Sequence, residues 1–412
     1  MVLWFLCLES IALSTIVAAA ASPVSTTTTS SSPATVVSSC PCDDEALCQP
    51  IAGPPVRERE IFGFVNAYGS DGSEMNWTHV TTVAWVTDPQ LVCRAHAHGA
   101  RAILAAPPFV LADMVHSPRH RRAWIQEALR RVQDNFYDGI VFDYEEPQPE
   151  GSMEGLAYAK LIAETRDTFQ AVHAGYQIST CVPWSPDNID GRAFPWVQLA
   201  DASDLLYVMD YDTRSQIFDA CLASANAPFP GMIRGIQRYF DLGIDASELI
   251  LGVPWYGYRY PCLPGTLPDA VYCPIPMVPF RGVNCSDAAG IEVAYSGIRQ
   301  VLDEMSDDGT AVAITGGLRR DANMDAPFFN IAVNQTQVYQ YWFDDTTSLS
   351  NKFRWAREHG LRGVGPYTFS YLDPHGADAD IWSTFDVFLQ EKPNETKQSV
   401  STVRHELRVR RS

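Results

Sequence analysis

Asp138-Gly-Ile-Val-Phe-Asp-Tyr-Glu145 is the stretch on which the reading of this chain turns. It has the character of a β-strand that ends in two carboxylates. Side chains alternate faces along a strand, so Val141, Asp143 and Glu145 share one side while Ile140, Phe142 and Tyr144 share the other. Two acids two residues apart have Cα atoms roughly 6.5–7 Å apart, near enough to influence each other's ionisation. The large apolar opposite face implies burial, and a buried strand does not carry unpaired acids without a use. The competing reading is a solvated strand end that happens to hold two acids.

Working outward, apolar strand-like runs alternate with helical patterns along most of the chain. The runs are Ile61–Ala67, Val80–Val86, Ala102–Ala106, Ile140–Glu145, Ile178–Trp184, Leu205–Tyr211, Leu249–Tyr256 and Gly363–Phe369. Helical patterns fall at Arg121–Phe136, Leu156–His173 and Ile291–Met305, and Trp124, Ala128, Leu129 and Val132 form an apolar stripe at helical spacing. Eight such alternations predict an α/β fold, a (β/α)8 TIM barrel, whose active site lies at the C-terminal ends of the strands. Glu145 occupies that end of the fourth strand. Two stretches exceed ordinary loop length: Pro261–Ala289 is read as a cysteine-stapled excursion after strand seven, and 311–345 as a hairpin insertion before strand eight. Both are expected to flank the barrel mouth.

Length and charge narrow the class. With 412 residues, 30 Lys plus Arg against 49 Asp plus Glu and a formal net charge of −19, the chain suits one large domain and lacks the positive footprint that nucleic acid requires. The short basic clusters, Arg119–Arg122 and Arg404–Arg411, are read as a solvated helix face and a loose tail. Residues 1–21 have the composition of a secretory signal ending in Ala18–Ala21, too interrupted by Glu9, Ser10, Ser14 and Thr15 for a bilayer span. Residues 22–39 are a Ser/Thr-rich linker, 40–390 the catalytic barrel and 391–412 a tail. Sequons begin at Asn76, Asn284, Asn334 and Asn394, and nine cysteines follow the linker. Together these imply an oxidising secretory route, and the odd number leaves at least one thiol free or externally paired. Cys40-Pro-Cys42 with Cys48 could also hold zinc, but no second matched pair accompanies them. His96-Ala-His98 sits in a helical stretch and no His-Glu-X-X-His pattern occurs, so neither metal nor cofactor is expected.

The 138–145 octapeptide resembles the signature strand of glycoside hydrolase family 18. Asp138, Asp143 and Glu145 match that signature, while Val141 stands where the family usually has another aspartate. Tyr207-Val-Met209-Asp-Tyr211-Asp212 resembles the family's Met-X-Tyr-Asp motif, although a Tyr-Asp pair at a strand end also serves as structural capping. Val182–Asp190, Ser215–Ile217, Ala225–Pro228, Gly252–Gly257, Val278–Gly282 and Cys285–Gly290 are similar to the chitobiase branch of that family. The third strand, with Ala105-Ala-Pro-Pro108, lacks the Ser-X-Gly-Gly usual in its endochitinases. Pro366-Tyr367-Thr368 replaces the tryptophan on which the family stacks a sugar.

The resemblance implies a glycosidase acting on β-1,4-linked N-acetylglucosamine by a substrate-assisted, retaining route. Glu145 would be the proton donor, Asp143 would orient the substrate acetamido group and Tyr211 would hold its carbonyl. Asp138, Trp184, Met209, Asp212, Trp255 and Tyr367 are the expected substrate-binding residues, with each of the aromatics equally eligible for the core. The partner would be an N-acetylglucosamine oligosaccharide, the chain a monomer, and the destination the lysosome, vacuole or exterior. An endochitinase and a chitinase-like lectin are the alternatives; retention of Glu145 disfavours the lectin.

Overall fold

The computed structural model describes residues 39–66, 70–213, 220–307, 314–333, 337–373 and 378–390. The 1–21 leader, nearly all of the linker, the 391–412 tail, Ser215–Ile217, Asn334 and Asn394 lie outside them. Eight parallel strands close a barrel: β1 (Glu60–Phe64), β2 (Thr82–Ala84), β3 (Arg101–Ala105), β4 (Gly139–Phe142), β5 (Gln177–Pro183), β6 (Leu205–Met209), β7 (Leu249–Pro254) and, last in the chain, β13 (Gly363–Tyr367). Each barrel neighbour is the neighbour in sequence, with β13 returning to β1. All eight runs named from the sequence supply one strand apiece, and the (β/α)8 expectation holds.

Strand alternation divides two cores. Phe62, Phe64, Ile103, Val141, Cys181, Tyr207, Met209 and Ile250 fill the barrel interior. Ile140 and Phe142 point outward against Ile125, Ala128, Leu129 and Val132 of α3 (Pro118–Asp134), with Trp124 and Phe142 ring centroids 5.6 Å apart. That helix starts where Ser117 accepts from the His120 amide and Pro118 fills the first turn, where a missing N–H costs nothing. Within it the basic run is not uniformly solvated. Arg119 and Arg122 are exposed, but Arg121 is buried and forms a two-point pair with Glu164 at 2.9 and 3.0 Å. A further helix, α4 (Met153–Val172), follows the β4 loop.

The largest departure from expectation lies between β7 and β13. Leu249–Tyr256 is not one strand: β7 ends at Pro254, and β8 (Tyr256–Pro261) leaves the barrel to pair elsewhere. The first residues of the expected Ile291–Met305 helix form β9 (Ile291–Ala294), and helix begins only at Tyr295. These join β10 (Ile314–Asp321), β11 (Ala326–Ala332) and β12 (Val338–Trp342) in a five-stranded antiparallel sheet, order β10-β11-β12-β8-β9. The 311–345 insertion is therefore three strands of a shared sheet rather than a separate hairpin. β-branched and aromatic residues at Ile291–Ala294 and Tyr256–Tyr260 gain more by pairing there than by extending the helix or the barrel. Disulfides Cys262–Cys273 and Cys221–Cys285 staple the intervening excursion, while Cys40–Cys48 and Cys42–Cys93 secure the amino-terminal segment. These eight sulfurs are spent on disulfides, so the zinc reading of Cys40, Cys42 and Cys48 loses its thiolates. Cys181 stays free and buried, as the odd count requires.

Candidate active site

The strand ends of β4, β6 and β13 bring Asp143, Glu145, Tyr211 and Tyr367 to one place. Asp143 lies one residue past β4 on the interior side, half-buried, with Oδ1 sealed from solvent. Burial first, and then the charge of Glu145, push its carboxyl up to about 8, against the opposing influence of Arg192 and the nearby Cys181 thiol. Glu145 is different: its side chain is half exposed, and Arg192 Nη1 meets its Oε2 at 2.8 Å. The same guanidinium, buried beside the turn at Ile189–Gly191, meets Asp190 at 3.2 Å. Two carboxyls on one strand end thus occupy opposed environments, one sealed and raised toward its neutral form, the other exposed and paired with a cation.

Tyr211 follows β6, and its ring stacks on Tyr367 at the end of β13, centroids 5.5 Å apart and planes 29° from parallel. Burial and the charge of Asp143 raise its phenol well above the ordinary value, so it remains a hydrogen-bond donor. Met209 is buried in the interior cluster beneath it. Asp212 adopts a positive φ of 52°, where a short polar side chain is tolerated. Its Oδ1 accepts from the Tyr256 and Tyr258 hydroxyls at 2.7 and 2.9 Å, while its amide donates to Asn226 at 2.6 Å. Burial, opposed by these tyrosines, raises its carboxyl to about 6.

Three expected residues fall differently. Asp138 is at the N-terminal end of β4, on the far side of the barrel from Glu145. It is fully buried and accepts from the Ile51 amide at 2.6 Å, the Ala102 amide at 2.7 Å and His96 at 2.8 Å. It is a floor anchor rather than a sugar contact, as alternation from Asp143 requires. Trp255 is fully buried among Phe369, Trp382 and Phe385 because the chain turns out of the barrel there. It belongs to the core and offers no face to a sugar. Trp184 is half-buried beyond β5, and Gly235 of the helix behind it is obligatory, since a Cβ there would lie 2.0 Å from the Trp184 carbonyl. Of the aromatic candidates, Tyr367 is the one built into the Asp143–Tyr211 group. The Asn76 and Asn284 sequons are described; Asn284 is exposed and Asn76 half-buried.

Several site residues escaped the sequence reading. Arg192 and Asp190 lie on a loop after β5; Asp190 sits at the end of a matching segment, and nothing local marks Arg192. Trp85, just past β2, stands edge-on to Tyr367 at 5.8 Å. Arg281, from the stapled excursion, donates to the Glu145 carbonyl at 2.8 Å, so that excursion reaches the mouth as expected. Asp287, from the same excursion, is buried and pushed up to about 8 by desolvation and by the charges of Asp212 and Asp190.

The family model for glycosyl hydrolases family 18 matches residues 110–371, a span that holds both carboxylates, Arg192, Tyr211 and Tyr367. The chain belongs to glycoside hydrolase family 18. It is 37% identical over 337 residues to the di-N-acetylchitobiase of Mus musculus, covering 81% of this chain and 87% of the relative. It is 36% identical to the di-N-acetylchitobiase of Homo sapiens, covering 82% and 84%, and 36% identical to the probable di-N-acetylchitobiase 1 of Dictyostelium discoideum, covering 85% and 94%. Among solved structures, the group IV chitinase of Ostrinia furnacalis superposes with a TM-score of 0.62 at 16% identity, covering 81% of this chain and all of that one, 100%. A chitinase-like agglutinin from Robinia pseudoacacia superposes at 0.59 and 18% identity, covering 79% and 99%. At those identities the likeness is one of fold, and cutting and binding proteins share it. This family 18 glycoside hydrolase must be told from a lectin by its site, where the acid and its neighbours are intact.

Proposed function

We propose that this chain hydrolyses the β-1,4 bond of chitobiose-type N-acetylglucosamine oligosaccharides by substrate-assisted, retaining catalysis. The single observation that carries the reading is the split pair: Asp143 sealed and without a hydrogen-bond partner at Oδ1, Glu145 exposed and ion-paired, two residues apart at the barrel mouth. With its carboxyl raised to about 8, Asp143 holds a proton in the resting enzyme. When a 2-acetamido sugar enters, its N–H offers Asp143 a donor, which favours the charged form there and frees the proton for Glu145. Glu145 then protonates the glycosidic oxygen as the bond to the anomeric carbon breaks.

The acetamido carbonyl oxygen attacks that carbon, giving an oxazolinium ion whose positive charge the Asp143 carboxylate offsets. Tyr211 donates to the same carbonyl, and Tyr367 offers a π face beneath the sugar. Water that gives its proton to Glu145 opens the ring on the original face, so configuration is retained.

Encroachment of the Pro261–Ala289 excursion on Glu145 supports action on chain ends or disaccharides over long polymer. The four disulfides favour a secretory destination, and we assign the enzyme to a lysosome-like lumen or the exterior, acting as a monomer. Among the described residues no helix is long and apolar enough to cross a membrane. The test is release of N-acetylglucosamine from di-N-acetylchitobiose, beside polymeric chitin and a disaccharide with glucose at the cleaved position. Cleavage of the first with retained anomer, and sluggish reaction of the last, is expected. Preference for polymer indicates an endochitinase, and binding without cleavage indicates a lectin.

A further inference from the structure

Glu145 is held by arginines from separate parts of the chain, and the holds differ. Arg192 meets the carboxylate, whereas Arg281 Nη1 donates to the main-chain carbonyl of the same residue at 2.8 Å. Arg192 is buried and committed to Glu145 and Asp190. Arg281 is exposed, so the rest of its guanidinium fork stands beside the acid on the solvent side.

The arm that carries Arg281 is shaped in advance. Phe280 and Val283 exchange amide-to-carbonyl bonds of 3.0 Å each way, closing a tight turn with Arg281 and Gly282 at its tip. Both tip residues have positive φ, 40° and 93°, a conformation natural to glycine but costly for arginine. The guanidinium carbon lies 5.3 Å from the centre of the Phe280 ring, which limits its swing. Behind the tip, Ser286 Oγ donates to the Val278 carbonyl at 2.9 Å and Cys285 is bonded to Cys221. An exposed arginine kept in a strained backbone and aimed at a catalytic acid calls for a use.

The chemistry of the bond says what that use is. The sugar to be cleaved lies against Asp143, Tyr211 and Tyr367, and Glu145 must face the oxygen that joins it to the next sugar. The leaving sugar therefore starts at Glu145 and extends away from Asp143, on the side of the acid that the Pro261–Ala289 excursion approaches. We propose that Arg281 is a specificity-determining residue: anchored on the Glu145 carbonyl, it donates its remaining N–H groups to the oxygens of the leaving N-acetylglucosamine. A guanidinium fork suits neighbouring oxygens on a sugar ring better than a single ammonium would. The inference rests on the hydrolytic reading above and adds to it the residue that reads the group beyond the cleaved bond.

The test compares the parent with Arg281→Ala and Arg281→Asn, the latter because asparagine tolerates the left-handed backbone and keeps the turn. Thermal melts verify folding. Two substrates are used: di-N-acetylchitobiose, and methyl N-acetyl-β-glucosaminide, which keeps the cleaved sugar but has methyl in place of the leaving one. Both leaving alcohols need the proton of Glu145, so a fault in the acid lowers both rates together. Loss of the sugar contact instead lowers the ratio of kcat/KM for the disaccharide to that for the methyl glycoside by about tenfold, the size of a lost hydrogen bond to a charged group. An unchanged ratio, whether both rates fall equally or neither falls, overturns the proposal. If the parent cleaves neither substrate, the hydrolytic reading fails and calorimetric affinities decide instead. Binding of the disaccharide weakened about tenfold, with the methyl glycoside unaffected, then keeps the Arg281 contact; equal or absent losses reject it as well.

Discussion

Arg192 Nη1 lies 2.8 Å from Glu145 Oε2, so the exposed acid at the barrel mouth is gripped by a guanidinium that is itself buried. The grip is not a surface ion pair of little consequence, because Arg192 also carries Asp190 and cannot swing into solvent. It fixes where Glu145 points and sets a positive charge beside Asp143.

Glu145→Gln should therefore abolish hydrolysis while sugar binding persists. Loss of a general acid costs about 10²–10⁴-fold in rate. Near-normal turnover in the folded variant would reject Glu145 as the proton donor.

Arg192→Ala removes a cation that favours the charged form of Asp143 and that pairs with Glu145. The acid limb of the kcat/KM profile should shift to higher pH, in the direction set by the lost attraction at Asp143. If steady-state rates across pH overlay those of the parent, Arg192 is only packing.

Val141 is fully buried beside Asp143, and polar replacements there cost about 1–3 kcal/mol of stability. Val141→Asn adds a donor and should move the acid limb to lower pH; Val141→Asp adds a second acid and should broaden the profile into an extra step. Profiles that coincide with the parent's, in variants that fold, would show Val141 to be inert.

Stability should peak on the acid side of neutrality. Asp212, Asp210, Asp143 and Asp287 are raised by burial to about 6, 7, 8 and 8 from the ordinary 3.8. A group raised on folding contributes stability that is complete below the unfolded value and is lost as pH climbs through the folded one. Asp71 and Asp245, lowered by hydrogen bonds to Ser73 and Ser247, act oppositely and lose their contribution in stronger acid. The melting temperature should fall between about pH 5 and pH 8, where the four raised acids must ionise. Calorimetry that finds it flat or rising over that window contradicts these shifts.

Where the sequence was legible, alternation did the work. Counting by twos from Glu145 puts Asp143 and Val141 inside and Phe142 outside, and the barrel obeys. The same count excludes Asp138 from the interior face that carries Asp143 and Glu145, since it falls on the parity of Ile140, although it stands in the motif. Trp255 was misplaced because Leu249–Tyr256 reads as one apolar run; only the pairing of β8 with β12 reveals where the chain turns away. Arg192 and Arg281 were out of reach for another reason. They meet Glu145 across 47 and 136 residues, and a loop arginine leaves no periodic mark.

The floor of the barrel is the counterpart of its mouth. Asp138 joins Ile51 and His96 to β3, and Cys42–Cys93 ties the same amino-terminal segment to the helix carrying His96. This clasp bridges 87 residues of chain at the end of the strands where no chemistry occurs. Resistance to unfolding and speed of turnover are thereby governed from opposite poles of one molecule. Selection can lengthen the enzyme's life by tightening the clasp while leaving the catalytic pole untouched.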